Sequence, residues 1–268
     1  MQALLTYGFL HRALLAGIFI ALACAVLGVF LLLRRDAMIG HGLAHITFAG
    51  VALGLFLRVM PLAVALVFSI LASLVIMKLK ESAGLHGDTA IAVVSSVAMA
   101  LGIVLATMSR NFSVALLNYL FGEILAIDPI EVWLSMGLAG AVVALVIGNY
   151  RKFMYLTFDR ESAMVSGIRV RRLDTLITIL ASITIVLGMR VVGILLVSAL
   201  IVIPAAAGLQ LASNFKTAII LSCGVAFVSV IAGLILAFFL DLPVSGMIVL
   251  VSFVLFGFFF LLRRMFKI

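Results

Sequence analysis

Long apolar runs separated by short polar or charged breaks dominate this chain. A helix needs roughly 20 residues to cross the hydrocarbon core of a bilayer. On that scale nine spans are predicted: residues 13–33, 42–57, 62–77, 90–108, 130–147, 173–187, 191–209, 217–240 and 247–262. Charges and helix breakers bound them, with Arg34 and Arg35 after the first, Arg58 and Pro61 after the second, and Lys78 and Lys80 after the third. Only a short turn around Met189 and Arg190 separates the sixth span from the seventh.

The stretch 111–127 is apolar but broken by Asn118, Gly122 and Glu123. It reads as a re-entrant or interfacial piece packed within the protein, because irregular backbone at membrane depth needs protein or water around it. A different reading of this piece or of the carboxyl-terminal hairpin gives eight or ten spans. Gly50 and Gly54 give the second span a small-residue face for close packing. Pro204 should kink the seventh. The longest connection, 149–172, is basic and contains a short amphipathic helix at 160–166, ended by Gly167 in a C-cap position. Such a helix suits either a membrane surface or the docking of a soluble partner.

Composition strengthens this picture. Of 268 residues, 66% are hydrophobic and 10% charged, and mean hydropathy is +1.43, whereas soluble chains are about half apolar and a quarter charged. The expected fold is all-α and polytopic, a single transmembrane domain over 1–268, with no room for a large soluble unit. Nucleic-acid binders, cytosolic enzymes and disulfide scaffolds are excluded. Cys24 and Cys223 lie inside apolar runs without metal-ligand spacing and read as small core residues. A cleavable signal peptide is not expected, since the first run is too long and Arg34 and Arg35 follow it.

The charges sort by face. Alternating the nine spans places 14 of the 18 Lys and Arg residues on one side, leaving Arg12, Arg58, Arg110 and Arg190 on the other. Asp128, Glu131 and Asp241 share that second side. Cytoplasmic loops carry the excess of Lys and Arg, which predicts an outside amino terminus and a cytoplasmic carboxyl terminus. Arg190 then reads as a snorkelling or headgroup-facing charge.

Ionisable groups near apolar runs cost a few kcal/mol each unless paired or solvated. His41 and His45 are four residues apart, which places both imidazoles on one helical face. Three readings stay open at this point: a hydrogen-bonded structural pair, a two-nitrogen clamp for a divalent cation such as zinc, and a proton relay. A zincin motif is absent, because Gly42 stands where its Glu would be. His86 reads as part of a solvated turn, and Asp88 as the N-cap of the fourth span. Glu123 and Asp128 flank the broken stretch and are candidates to line a pathway or to sit solvated at the interface. No Gly-x-x-x-x-Gly-Lys-Ser/Thr phosphate loop occurs, so any ATP must be hydrolysed by another chain.

The order of motifs resembles the membrane permeases of prokaryotic manganese/zinc/iron-type ABC importers. The segment from Arg34 to His45, followed by Gly50-Val51-Ala52-Leu53-Gly54, is similar to their second-helix signature. Asp88-Thr89-Ala90-Ile91-Ala92 resembles the start of a middle helix, and Tyr119-Leu120-Phe121-Gly122-Glu123 a segment of zinc-type members. Val192-Gly193-Ile194 through Ile203-Pro204-Ala205-Ala206 is similar to the late-helix signature. The resemblance implies a type II-like ABC importer permease in the prokaryotic inner membrane. It further implies a homodimer, two cytoplasmic ATP-binding subunits and an extracytoplasmic metal-binding protein. No permanent cofactor is implied, the divalent metal being cargo. The loop carrying Asp159, Glu161, Ala163 and Gly167 resembles the coupling region where the ATPase docks.

One departure matters. The family pattern has an acidic residue four before the histidine, and here that position is His41. Imidazole suits zinc whereas carboxylate suits manganese, so the expected cargo is zinc, with manganese or iron(II) as the alternative. Rival readings are a cobalamin, siderophore or haem-type importer, an intramembrane metalloenzyme and a proton-driven secondary transporter.

Overall fold

The computed structural model describes residues 8–82, 87–108, 119–120, 122 and 128–266. Eleven helices are named here in chain order: α1 Gly8–Leu33, α2 Met38–Leu57, α3 Pro61–Ser82, α4 Gly87–Met108, α5 Pro129–Gly148, α6 Tyr150–Phe158, α7 Arg160–Val165, α8 Val170–Val192, α9 Ile194–Leu211, α10 Phe215–Leu240 and α11 Val244–Phe266. No strand occurs among the described residues. Eight of these helices are long and apolar enough to cross a membrane, and α9 is a shorter apolar one. All nine stand where the apolar runs place spans.

Most helices overrun their apolar runs, because backbone hydrogen bonding continues beyond the hydrocarbon. The largest correction is the turn between the sixth and seventh spans. Met189 and Arg190 remain helical, and the chain breaks at Gly193 (φ 93°, ψ 151°). Only glycine enters that conformation without strain. Gly193 N–H closes α8 onto the Met189 carbonyl, and its own carbonyl accepts from Val197 N–H, opening α9. Gly122, itself at φ +75°, packs on this break, since a Cβ there would lie 2.5 Å from Gly193 N. The rest of the broken stretch lies outside the described residues, apart from Tyr119 and Leu120.

Burial separates an inner from an outer set. In their most apolar windows 72% of α1, 72% of α2 and 67% of α8 is buried, against 22% of α3, 28% of α4 and 17% of α11. The inner helices therefore pack within the chain, and the outer ones leave most of their surface open to lipid or to a partner. Close approach requires missing side chains. A Cβ on Gly28 would fall 1.9 Å from the Ile201 carbonyl oxygen, so α1 and α9 meet backbone to backbone. Gly50 and Gly54 pack α2 onto α3, as their spacing suggested, since a Cβ on either would fall 2.6 Å from a Cα there. Buried Thr178, Ser182, Ser222 and Ser229 hydroxyls donate to carbonyls four residues back. That satisfies them where no water is available.

Candidate functional site

The turn into α2 builds the site. Leu33 ends α1, Arg35 adopts a left-handed conformation (φ 59°), and Asp36 N–H returns to the Leu31 carbonyl. With Arg35 N–H on the Leu32 carbonyl, this is a Schellman closure with arginine in the usual glycine place. It starts α2 at Met38, making His41 and His45 the fourth and eighth residues of that helix. They stand roughly 5 and 10 Å along its axis from Met38. Gly40 and Gly42, about 100° to either side of His41, pack against Ile201 of α9 and Ile91 of α4. The stripe between those contacts stays open. His41 is exposed and His45 half-buried, while Phe48, one turn further, is buried against Gly102 of α4.

The two imidazoles do meet. Their Nε2 atoms are 3.1 Å apart, with ring centroids 4.5 Å apart and planes nearly perpendicular. Without a metal, one Nε2–H donates to the other's lone pair. In a tetrahedral zinc shell with Zn–N near ~2.0 Å, two nitrogens stand about 3.3 Å apart. The observed separation thus lets a cation replace the shared proton with little movement.

A second cluster sits at the foot of the same helix. Arg34 donates to the buried Asp174 at the start of α8, and Lys80 Nζ lies 2.6 Å from Asp36 Oδ1. Arg34 and Asp36 are 3.8 Å apart, which joins the two pairs. The network ties the ends of α1 and α3 to the starts of α2 and α8 around a cavity of about 320 Å³. A neighbouring cavity of about 400 Å³ lies between these charges and Leu156, Thr157 and Phe158 of α6.

That contact brings the 149–172 loop to the site. Aromatic packing anchors α6, with Phe153 5.3 Å from Phe30 of α1, and Phe30 5.0 Å from Phe215 of α10. Short α7 then forms at the expected place. Asp159 caps it, accepting from Ser162 N–H at 2.9 Å and from Ser162 Oγ at 2.5 Å. The Ser162 hydroxyl, then the backbone amides, hold the Asp159 carboxyl below its ordinary range. Ala163 is fully buried, and Gly167 (φ +77°) completes a Schellman closure in which Ile168 N–H reaches the Ala163 carbonyl. Glu161, Met164 and Val165 remain exposed on the outer surface of this helix. This short helix thus stands outward on the loop that shares a cavity with the foot of α2.

Residues 6–263 match the ABC 3 transport family. The chain belongs to that family. It is therefore a membrane transport subunit and not an enzyme. Over 93% of its length it is 32% identical to the high-affinity zinc uptake system membrane protein ZnuB of Haemophilus influenzae, spanning 96% of that protein. It is 33% identical to the manganese import system permease protein ScaB of Streptococcus gordonii, covering 96% of this chain and 92% of that one. The structure of PsaBC from Streptococcus pneumoniae in complex with Fab superposes with a TM-score of 0.86 at 29% identity, over 97% of this chain and 93% of that one.

Not every predicted residue of this family member joins the site. Asp88 is not the N-cap of α4, for Gly87 before it is already helical and Asp88 lies exposed within the helix. There its charge still complements the positive helix end. Asp128 caps α5 at the opposite end of the bundle, its N–H donating to Glu131 Oε2 at 3.2 Å. Arg190 has a partner the sequence did not announce, Glu131 Oε1 at 2.8 Å. His86 and Glu123 lie outside the described residues. The Arg34–Asp174 network was not anticipated. Its signal was an aspartate inside the sixth predicted span.

Proposed function

We propose that this chain is the permease of an ATP-driven divalent-metal importer, that zinc is its cargo, and that it acts as a homodimer. The paired imidazoles carry this reading: two neutral nitrogens set 3.1 Å apart on an open stripe of an otherwise buried helix. Among the described residues no third histidine, cysteine or carboxylate completes a shell. The remaining ligands then come from water or from the same pair of the second protomer. Two ligands per chain hold an ion weakly enough to release it.

In this reading the basic end is cytoplasmic and the amino terminus is outside. Two ATP-binding subunits dock on the α7 loop through Asp159, Glu161, Ala163 and Gly167. Asp159, Ala163 and Gly167 build the loop's shape, and Glu161 offers a contact. An extracytoplasmic binding protein delivers the metal, and ATP-driven closure of the ATPases reorients the spans around the histidines. Asp88, Glu123 and Asp128 serve as secondary pathway candidates. A manganese cargo is the second reading, favoured by relatives of equal identity that are manganese systems.

Radiolabelled uptake decides between them in cells lacking their own importers and expressing this chain with its cognate ATPase and binding protein. Saturable zinc uptake unaffected by excess manganese is the expected result. Manganese uptake with zinc only inhibiting would overturn the zinc assignment but keep the importer. Uptake of neither metal by an assembled complex would overturn both and favour a cobalamin, siderophore or haem-type cargo.

A further inference from the structure

A wide concavity among the described residues lies away from the histidines. Helix α2 packs on α3, α4, α8 and α9, whereas this groove of about 920 Å³ runs between α5 and α10 over Val26 of α1. Its walls are aliphatic, with Val143, Ile147 and Ile220 among them. At the helix ends it is rimmed by Arg151, Lys152 and Lys216. No carboxylate is among its lining residues. Lys216 Nζ is held 5.8 Å from the Tyr150 ring centroid, and Lys152 Nζ reaches Asn149 Oδ1 at 3.4 Å, so two of the cations are stationed at the rim.

We propose that this groove binds an anionic phospholipid, its acyl chains along α5 and α10 and its phosphate among Arg151, Lys152 and Lys216. The walls belong to membrane-spanning helices, which places the aliphatic floor within reach of lipid chains and out of reach of a soluble acidic partner. A second copy fits poorly. A two-fold interface centred here would set three cations against the same three, and like charges in apposition oppose association. Basic pockets between spanning helices take anionic headgroups for the same electrostatic reason. The rim also begins α6, so a seated lipid braces the segment that leads to α7. The inference is independent of which metal is carried.

The test is native mass spectrometry of the full chain released from nanodiscs of equimolar phosphatidylglycerol and phosphatidylcholine. Wild type retains phosphatidylglycerol in strong preference, and the Arg151→Gln/Lys152→Gln/Lys216→Gln variant loses that preference by about a hundredfold, near fivefold per charge. Ile220→Trp, which leaves the rim charges in place, fills the groove and displaces the lipid, so the proposal stays testable if the triple variant misfolds. Equal retention of the two lipids by wild type would overturn the proposal. So would undiminished phosphatidylglycerol on Ile220→Trp, or disulfide cross-linking of copies through Ile220→Cys in the membrane.

Discussion

The foot of α2 and its second turn carry two polar clusters a few residues apart, built on opposite terms. Asp36 is sequestered, paired with Lys80 and neighboured by Arg34, which in turn holds the buried Asp174. Among the described residues His41 and His45 pair with each other, and they lie on an open stripe. Opposite charges that satisfy one another clamp helices and have nothing left for a ligand. Two imidazoles sharing one proton leave a lone pair for a cation once that proton is given up. The comparison assigns the first cluster to architecture and the second to cargo, and each can be tested by removing what defines it.

The largest effect is expected at the clamp. Asp174→Ala leaves Arg34 without its buried partner and should destabilise the chain by about 3–5 kcal/mol, read as a fall in the unfolding midpoint in nanodiscs. Arg34→Met/Asp174→Leu removes both charges and should recover most of that loss. If the single and double variants are equally unstable, the pair is not what holds the four helix ends.

At the histidines the signs reverse. His41→Ala/His45→Ala should change stability by no more than about 1 kcal/mol, His41 being exposed and His45 half-buried, yet lower metal uptake at least tenfold. Wild-type uptake by this variant would make the pair structural. His41→Asp restores a carboxylate at that position and should shift the uptake ratio from zinc towards manganese, since oxygen ligands suit the harder ion. An unchanged ratio would locate selectivity in the binding protein.

A smaller effect is expected at the opposite end of the bundle. Arg190 and Glu131 pair at 2.8 Å, but Arg190 is more than a third exposed. Glu131→Gln should therefore cost only about 1 kcal/mol, far less than Asp174→Ala in the same assay. The smallest concerns Asp159. Its carboxyl is held below the ordinary range by Ser162, so the cap is fully present above the ordinary aspartate value and is lost only as pH falls through the lowered one. Amide exchange at Ser162, corrected for its intrinsic pH dependence, should keep its protection from pH 7 to pH 5 and lose it only in stronger acid. Earlier loss would mean the cap is not what fixes α7.

Much of this site was legible before the fold. The i, i+4 spacing of His41 and His45 needs only a helix to bring the rings together, and the α7 turn follows from Asp159 before Ser162 and Gly167 after it. Asp88 was misassigned because Gly87 before it is already helical, which the Asp-Thr pattern ahead of an apolar run does not reveal. The Arg190–Glu131 pair was not foreseen because the two residues are distant in sequence and no local pattern announces it.

What the sequence determined by itself was local: where nine apolar runs become helices, which short loops carry the positive charge, and which histidines share a face. These follow from transfer energies and backbone geometry, which act within one segment at a time. Tertiary structure decided everything that needed two segments at once. Arg34 finds Asp174 across 140 positions, α1 meets α9 at Gly28, and the turn falls at Gly193 rather than at Arg190. The physical reason is shared. A charge or a missing side chain has no fixed value along the chain, and acquires one only when packing selects its partner.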